Sequence, residues 1–600
     1  MQSREAENIN VEEEYKRRTH RCEEIGTGLT GEEITVNGWV QRLRDHGSLL
    51  FIDLRDRSGV IQVVFDQSVD KELFAKAENL GSEDVISVTG IISSRPEENI
   101  NPEITTGKVE LEADRLELIS HSQTPPFEVE DKTRATERVR LEHRYLDLRR
   151  PRMLEIMKKK HQVMQATRNF LSTSGYWEIE TPILTKSTPE GARDYLVPSR
   201  LHRGNFYALP QSPQLFKQLL MAGGVEQYFQ IAKCFRDEDL RANRQPEFMQ
   251  IDIETSFIDV ESFMSEMENL MGEIFAVADI EIPEKFDVIS YQEAMERYGS
   301  DSPDTRFDLE IEDLSDIFSD SDFNLFSDTI AEGGTVRGIK LADGADMSRS
   351  QIDKYEDFVK ELGAAGLINF AVKETEIASP VAKFISSEEL KSLKNKLSAE
   401  KGDMIFVIAG EIDLTLKCLG DLRLKLAEDY SLIPENEYDF LWVVDFPLFG
   451  YNKKEDRIES EHHPFAAPLP EDEEMISENP LDVRSQAYDM VINGEEVGGG
   501  SVRISDADLQ KEVFELLGFS PEEVEEKFGF MIEALEHGAP PHGGIAFGLD
   551  RIVMLLTGSD SIRDVIAFPK TQNASSPLTG APGEVTGKQL EELNLKVDDK

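Results

Sequence analysis

The stretch Phe235-Arg236-Asp237-Glu238, followed by a polar segment over 239–245 and then Pro246-Glu247-Phe248-Met249-Gln250-Ile251-Asp252, decides how the rest of the chain is read. It reads as strand, loop and strand, with an arginine and carboxylates gathered at the base of the loop. Surface hairpins also carry Arg and Glu, so its meaning depends on what lies on either side.

Upstream, Thr188-Pro189-Glu190-Gly191-Ala192-Arg193-Asp194-Tyr195 reads as a mobile loop. After it, Gln211-Ser212-Pro213-Gln214-Leu215-Phe216-Lys217 sets Gln214 and Lys217 one helical turn apart on one face. An ordinary exposed helix face fits that pair as well. Downstream, Asp489 and Glu496 flank a tight turn that leads into Gly498-Gly499-Gly500-Ser501-Val502-Arg503. Two such carboxylates suit a hard cation such as magnesium, although a hairpin with two solvated acids is the plainer reading. The three glycines allow close backbone approach to a ligand. No Gly-Lys-Ser/Thr follows, so this is not a Walker loop, and it is no dinucleotide fingerprint. Last comes Gly548-Leu549-Asp550-Arg551 before an apolar run over 552–556. The glycine opens a helix and the arginine sits in its first turn, where backbone N–H groups and a guanidinium can meet a nucleotide. A helix start with an ion-paired arginine is the alternative.

The chain has 600 residues and 39% apolar content, which predicts two to four packed domains. Cys22, Cys234 and Cys418 stand far apart, which argues against a disulfide scaffold or a structural zinc site. No apolar run is long enough to span a bilayer and the start is not an apolar leader, so a cytoplasmic protein with no membrane partner is expected. The net charge is −52, from 65 basic and 117 acidic residues. On its face this argues against a nucleic-acid partner. The acid is spread along the chain, however, as in a solvated coat suited to high intracellular salt. Against that background Arg138, Arg140, Arg144, Arg149, Arg150 and Arg152 fall within fifteen residues, with Glu142 and Asp147 the only acids among them. Their guanidinium forks suit phosphate.

Residues 32–118 read as five short strands, enough for a small barrel of the OB type. If Leu50, Ile52 and Leu54 line its core, the period of two turns Phe51 outward, and Gln62 points outward on the next strand. A stacking ring beside an amide is what a single-stranded base reader needs. A phenylalanine covered by another loop fits the pattern equally well. Residues 153–174 predict a helix, and 307–434 a separate α+β insertion. The tail from 571 is rich in Pro, Gly and Ser and is predicted to wrap or fray.

Taken together, the four clusters resemble the signature motifs of the class II aminoacyl-tRNA synthetases, and most closely the bacterial-type aspartyl group. Gly175-Tyr176-Trp177-Glu178-Ile179-Glu180-Thr181-Pro182 is similar to motif 1, residues 235–252 to motif 2 and 548–556 to motif 3. The resemblance implies a multidomain protein: an N-terminal OB-fold β-barrel over 1–122 that binds the anticodon, and a hinge over 123–156. It further implies an α+β catalytic core with a mainly antiparallel sheet over 157–306 and 435–570, an α+β insertion domain over 307–434, and a C-terminal extension over 571–600. It implies ATP and Mg²⁺ as co-substrate and cofactor, L-aspartate and tRNA-Asp as partners, and a homodimer joined through motif 1.

By the same resemblance, Arg236 and Arg551 are the catalytic residues. Arg236, Asp237, Glu238, Gln245, Phe248, Glu496, Gly548, Leu549, Asp550 and Arg551 contact ATP, with Phe248 and Arg551 on either side of the adenine. Asp489 and Glu496 hold the metal. Glu190, Ser212, Gln214, Leu215, Phe216, Lys217, Arg236, Asp252, His462 and Arg503 surround the aspartate. Arg503 and Lys217 face its side-chain carboxylate as two buried cations, and either His462 or His463 touches it. Arg44, His46, Phe51 and Gln62 read the anticodon. His46 stands where enzymes strict for tRNA-Asp often carry leucine, which resembles the relaxed enzymes that also charge tRNA-Asn. Glu98 does not match the glycine of that relaxed group, and the balance leans to the strict enzyme. A lysyl or asparaginyl enzyme shares the fold, but Arg503 with Lys217 argues against a cationic or neutral side chain. A free-standing amide-forming relative lacks the OB barrel. A non-catalytic RNA-binding paralogue is the remaining alternative, and such a chain is expected to have lost some of Arg236, Asp489, Glu496 and Arg551.

Overall fold

Alternation along Leu49–Arg55 puts Leu50, Ile52 and Leu54 on one side, and all three are fully buried. With Ile61, Val63 and Phe65 from Val60–Asp66 they form the core of a closed five-stranded barrel. Glu33–Asp45 pairs antiparallel with both Leu49–Arg55 and Val85–Ser94, and Val60–Asp66 closes the ring by a short parallel pairing with Val109–Ser120. The protein was described by a computed structural model, which covers residues 17–188, 191–240 and 243–598. The chain divides into two compact units, Met1–Lys158 with Arg563–Glu584, and Lys159–Ile562 with Val585–Lys600.

The barrel lies in the first unit, and there the arginine cluster has a use other than phosphate binding. Arg144 is buried and donates from Nη1 to Asp147 Oδ2 at 2.5 Å. Its remaining donors meet the carbonyls of Arg563, Ile566 and Ala567 at 2.8 to 3.0 Å. Arg150 takes the other oxygen of Asp147 at 2.7 Å, and Arg149 donates to Glu83 at 2.7 Å while lying over the Trp39 ring. Arg144 thus fastens the segment before residue 152 to residues 563–567, and Arg149 fastens it to the barrel. A buried guanidinium must find acceptors, and here they are protein carbonyls and carboxylates. Arg138 remains exposed.

The second unit is built on an eight-stranded sheet, ordered Asp287–Ser290, Phe440–Val444, Ala487–Ile492, Glu495–Val502, His542–Gly548, Glu247–Ser256, Gln227–Phe235, Trp177–Glu178. All its pairings are antiparallel except those of the two edge strands. Within residues 307–434 lies a separate five-stranded antiparallel sheet whose middle strand is Met404–Gly410. That strand is apolar without a break because both its faces are covered. Met404, Phe406 and Ile408 pack in one apolar cluster, and Ile405 and Val407 in another. Among the described residues no helix is long and apolar enough to cross a membrane.

Candidate active site

The period of two along Glu247–Ser256 turns Ile251 and Ile253 into the apolar core and leaves Gln250, Asp252 and Glu254 on the opposite face. These polar side chains would be expensive to bury alone, and the neighbouring elements supply their partners. Lys217, from the helix Gln214–Ala222, lies 3.0 Å from Asp252 Oδ2 and 3.2 Å from Glu254 Oε2. Arg503 follows the strand Glu495–Val502 and meets Glu254 through Nε at 2.9 Å and Nη2 at 3.1 Å. Its other donors reach His463 Nε2 at 2.6 Å, Ser501 Oγ at 2.7 Å and the Gly544 carbonyl at 3.3 Å.

Lys217 and Arg503 are therefore not waiting cations. They belong to a neutral buried cluster of two cations and two carboxylates, because an uncompensated buried charge is costly. Glu254 was not among the residues singled out in the sequence, yet it binds both cations. Its signal was its place two residues beyond Asp252 on the same strand face. One acceptor in the cluster is unused: Asp252 Oδ1 is buried with no hydrogen-bond partner, as is Gln214 Nε2. Burial pushes the Asp252 carboxyl up to about 6 against the pull of Lys217. His462 and His463 are neutral imidazoles, both held below the usual range by burial. His463 turns to Arg503, while His462 stands edge-on to Phe446 with ring centres 4.4 Å apart.

These groups form one end of a cleft of about 360 Å³. It is lined by Ser212, Gln214, Lys217, Arg236, Glu238, Gln245, Phe248, Asp252, His462, Glu496, Arg503, Gly548, Asp550 and Arg551, together with His463 and Arg244. At its other end the Arg236 guanidinium lies 5.1 Å from the Phe248 ring centre. Arg551 donates to the Glu496 carbonyl at 2.5 Å, and Arg244 pairs with Glu238 at 3.0 Å.

Several residues expected at the cleft have other surroundings. Leu215 packs in an apolar cluster with Phe465 and Phe514, and Phe216 lines a separate small hollow, because they turn away from the helix face shared by Gln214 and Lys217. Asp237 faces Arg193 at 3.8 Å, and Leu549 is fully buried outside the cleft lining. Asp550 reaches the cleft with both oxygens engaged, one by Lys160 at 2.5 Å and the other by the Met249 N–H at 3.0 Å. It pins the helix Leu549–Thr557 to the strand carrying Phe248. Glu190 lies outside the described residues.

Asp489 and Glu496 converge over Gly499. A Cβ at Gly499 would lie 2.8 Å from Asp489 Oδ1 and 3.5 Å from Glu496 Oε1, so glycine keeps the space between them open. Burial, and then the Glu496 charge, raise Asp489 well above the carboxylate range, and burial raises Glu496. Asp489 Oδ1 has no hydrogen-bond partner. Asp489 is buried and Glu496 opens into the cleft, half exposed, and two such crowded carboxylates fit a hard divalent cation that completes its shell from phosphates and water.

On the barrel, Arg44, His46, Phe51 and Gln62 share one outer face. Arg44 pairs with Asp53 through two bonds of 2.7 and 2.9 Å and donates to Gln62 at 3.1 Å. Gln62 donates to Glu110 at 2.8 Å, and the His46 ring meets Phe51 edge-on at 5.5 Å. Asp53 and Glu110 were not anticipated, since nothing local distinguishes them in so acidic a chain.

Residues 136–572 match the family described as tRNA synthetases class II (D, K and N), and residues 34–119 match the OB-fold nucleic acid binding domain. The chain belongs to the class II tRNA synthetases of the aspartate, lysine and asparagine group, enzymes that use ATP and act on tRNA. Within that group it falls with the aspartate–tRNA ligases. It is 57% identical over 582 residues to an aspartate–tRNA(Asp/Asn) ligase of Halothermothrix orenii, covering 97% of this chain and 99% of the relative. It is 50% identical over 585 residues to an aspartate–tRNA ligase of Clostridium botulinum, covering 97% and 98%. In fold it is similar to the asparaginyl-tRNA synthetase of Pyrococcus horikoshii complexed with asparaginyl-adenylate, with a TM-score of 0.57, 20% identity and coverage of 92% and 98%. It is also similar to a putative aspartyl-tRNA synthetase of Leishmania major, with a TM-score of 0.59, 20% identity and coverage of 94% and 96%.

Proposed function

We propose that the chain activates L-aspartate with ATP and transfers it to the 3′-hydroxyl of tRNA-Asp. The single observation that carries this reading is the Lys217–Asp252–Glu254–Arg503 cluster opening into the same cleft as Arg236, Phe248 and Arg551. The substrate α-carboxylate attacks the α-phosphate, giving aspartyl-adenylate and pyrophosphate. A carboxylate needs no general base, so positioning and charge stabilisation carry the rate. Arg236 meets the α-phosphate and the charge it gains, and the adenine lies between Phe248 and Arg551. Glu238 and Gln245 contribute further nucleotide contacts. Magnesium held by Asp489 and Glu496 would neutralise charge on the ATP phosphates.

Asp252 Oδ1, with Ser212 and Gln214, takes the substrate ammonium. The substrate's side-chain carboxylate replaces His463 at Arg503 Nη1 and approaches Lys217. Asparagine would turn an amide N–H₂ toward one of these donors and leave it unpaired, which is the basis of selection. Residues 1–122 serve as the anticodon-binding part, 157–306 and 435–570 as the catalytic core, and 307–434 as an insertion in it. Exposed Trp177, Ile183 and Leu184 beside motif 1 support a homodimer, and the cytoplasm is where its tRNA substrates are found.

A second reading, that tRNA-Asn is charged as well, is favoured by His46, whose ring buttresses Phe51, and by the relatives whose names include both tRNAs. ATP–pyrophosphate exchange with aspartate, asparagine and lysine in parallel tests the activation step. Exchange with aspartate alone is expected, and exchange with none would leave an RNA-binding module. Charging of purified tRNA-Asp and tRNA-Asn side by side separates the two readings.

A further inference from the structure

In a chain with 117 acids among 600 residues, residues 195–225 contain none. This stretch begins with a two-stranded hairpin, Leu196–Pro198 paired with Phe206–Ala208. Its tip carries Arg200, Leu201, His202 and Arg203, all exposed. Nearly every other arginine of the second unit is tied down by a carboxylate or a carbonyl. Among the described residues of that unit, the arginines whose side chains make neither an ion pair nor a hydrogen bond are Arg200, Arg203 and Arg236, and Arg236 is inside the cleft. A free guanidinium in so acidic a protein is an unused anion site, and two of them share one turn.

The root of the hairpin is the rim of the cleft. Ala208 exchanges backbone hydrogen bonds with Thr185 at 2.8 and 3.0 Å, and Leu209 donates to the Tyr195 carbonyl at 2.9 Å. Two residues past the second strand, the Pro210 carbonyl accepts from Phe235 N–H at 2.9 Å, directly before Arg236. Ser212, next along, lines the cleft. The arm is thus anchored beside the residues that meet ATP and projects its two free arginines outward.

We propose that the hairpin Leu196–Ala208 is an RNA-contacting arm, whose Arg200 and Arg203 take the phosphate backbone of the tRNA as its 3′ end enters the cleft. Charge complementarity favours this occupant. The net −52 repels a polyanion over most of the surface, and an acid-free arm with two unpaired guanidiniums is where that repulsion is lifted. Phosphate contacts of this kind position an RNA without reading its sequence, which suits a contact close to the reacting end. The inference rests on the reading that tRNA is charged at this cleft. Leu201 and Phe206 are also exposed, 73% and 43%, which makes a second copy of the chain the competing occupant.

The test uses the full chain with Arg200→Gln and Arg203→Gln together, and the pair Arg200→Lys and Arg203→Lys. Affinity for unmodified tRNA-Asp transcript is measured at several salt concentrations, alongside aspartate-dependent exchange and molar mass in solution. The glutamine pair is expected to weaken tRNA binding about tenfold at low salt and to flatten the log–log salt slope by about 2, with the lysine pair near wild type. Exchange and mass are expected to be unchanged. Wild-type affinity and slope in the glutamine pair would overturn the proposal. So would a glutamine pair that falls to a smaller species, because the arm would then serve the second copy. Absence of exchange in the wild-type chain would count against the enzymatic reading alone, since the binding measurement still reports on the arm.

Discussion

Glu254 grips Arg503 with both carboxylate oxygens, at 2.9 and 3.1 Å, across 249 residues of sequence. The same carboxylate lies 3.2 Å from Lys217 Nζ, so one buried acid pairs with both cations at the substrate end of the cleft.

Glu254→Gln is therefore expected to damage both fold and function. It removes one of four balanced buried charges, and breaking a buried pair by losing one partner costs about 3–5 kcal/mol. Aspartate-dependent ATP–pyrophosphate exchange should fall at least about a hundredfold, as should follow from about 3 kcal/mol lost where the substrate binds. Urea unfolding and exchange on the same preparation check this. Wild-type exchange would remove Glu254 from the site.

Acid should weaken aspartate activation before it unfolds the protein. Asp252, pushed up to about 6 from an ordinary 3.8, is charged only above that pH, so kcat/KM for aspartate should fall as pH drops through about 6. Its raised value means that its charged form opposes folding above pH 6, and that penalty is relieved on acidification. Glu254 behaves oppositely: burial raises it, but Arg503 and Lys217 outweigh burial and hold it at about 2 against an ordinary 4.5. Its stabilisation is complete above about 4.5 and is lost as pH falls through about 2. A pH–rate profile beside a circular-dichroism titration reads both, and Asp252→Asn should lack the limb near 6.

The crowded pair over Gly499 predicts loss of function without loss of stability. Asp489→Asn removes the buried member of two mutually repelling carboxylates, so the metal-free protein should melt at or above the wild-type temperature. The Mg²⁺ concentration for half-maximal exchange should rise by about tenfold or more. An unchanged magnesium requirement would place the metal elsewhere.

On the barrel, Arg44→Ala should lower tRNA charging by roughly tenfold or more while sparing ATP–pyrophosphate exchange. Asp53→Ala should do nearly the same, because two hydrogen bonds from Asp53 aim the guanidinium. Equal loss in charging and exchange for either variant would refute a role confined to the tRNA. His46→Leu should lower charging of tRNA-Asn relative to tRNA-Asp, as measured on the two purified tRNAs.

Local pattern was enough for the barrel, because the period of two assigns Leu50, Ile52 and Leu54 to a core without any knowledge of their partners. The same rule, carried from Asp252 to Glu254, would have found the missing carboxylate. The four clusters around residues 190–217, 235–252, 489–503 and 548–551 were legible as short strings, and their order along the chain pointed to one family. Tertiary structure alone decided what each charge is paired with. Arg144 resembled a phosphate binder until Asp147 and three carbonyls filled its donors, and Asp550 resembled a nucleotide contact until Lys160 and the Met249 N–H took its oxygens. Arg200 and Arg203 looked like two more surface charges until nearly all the other arginines of that unit proved to be engaged. Periodicity states which side of an element a residue faces. A buried charge is satisfied by whatever the fold brings within about 3 Å, and for Arg503 that partner lay 249 residues away.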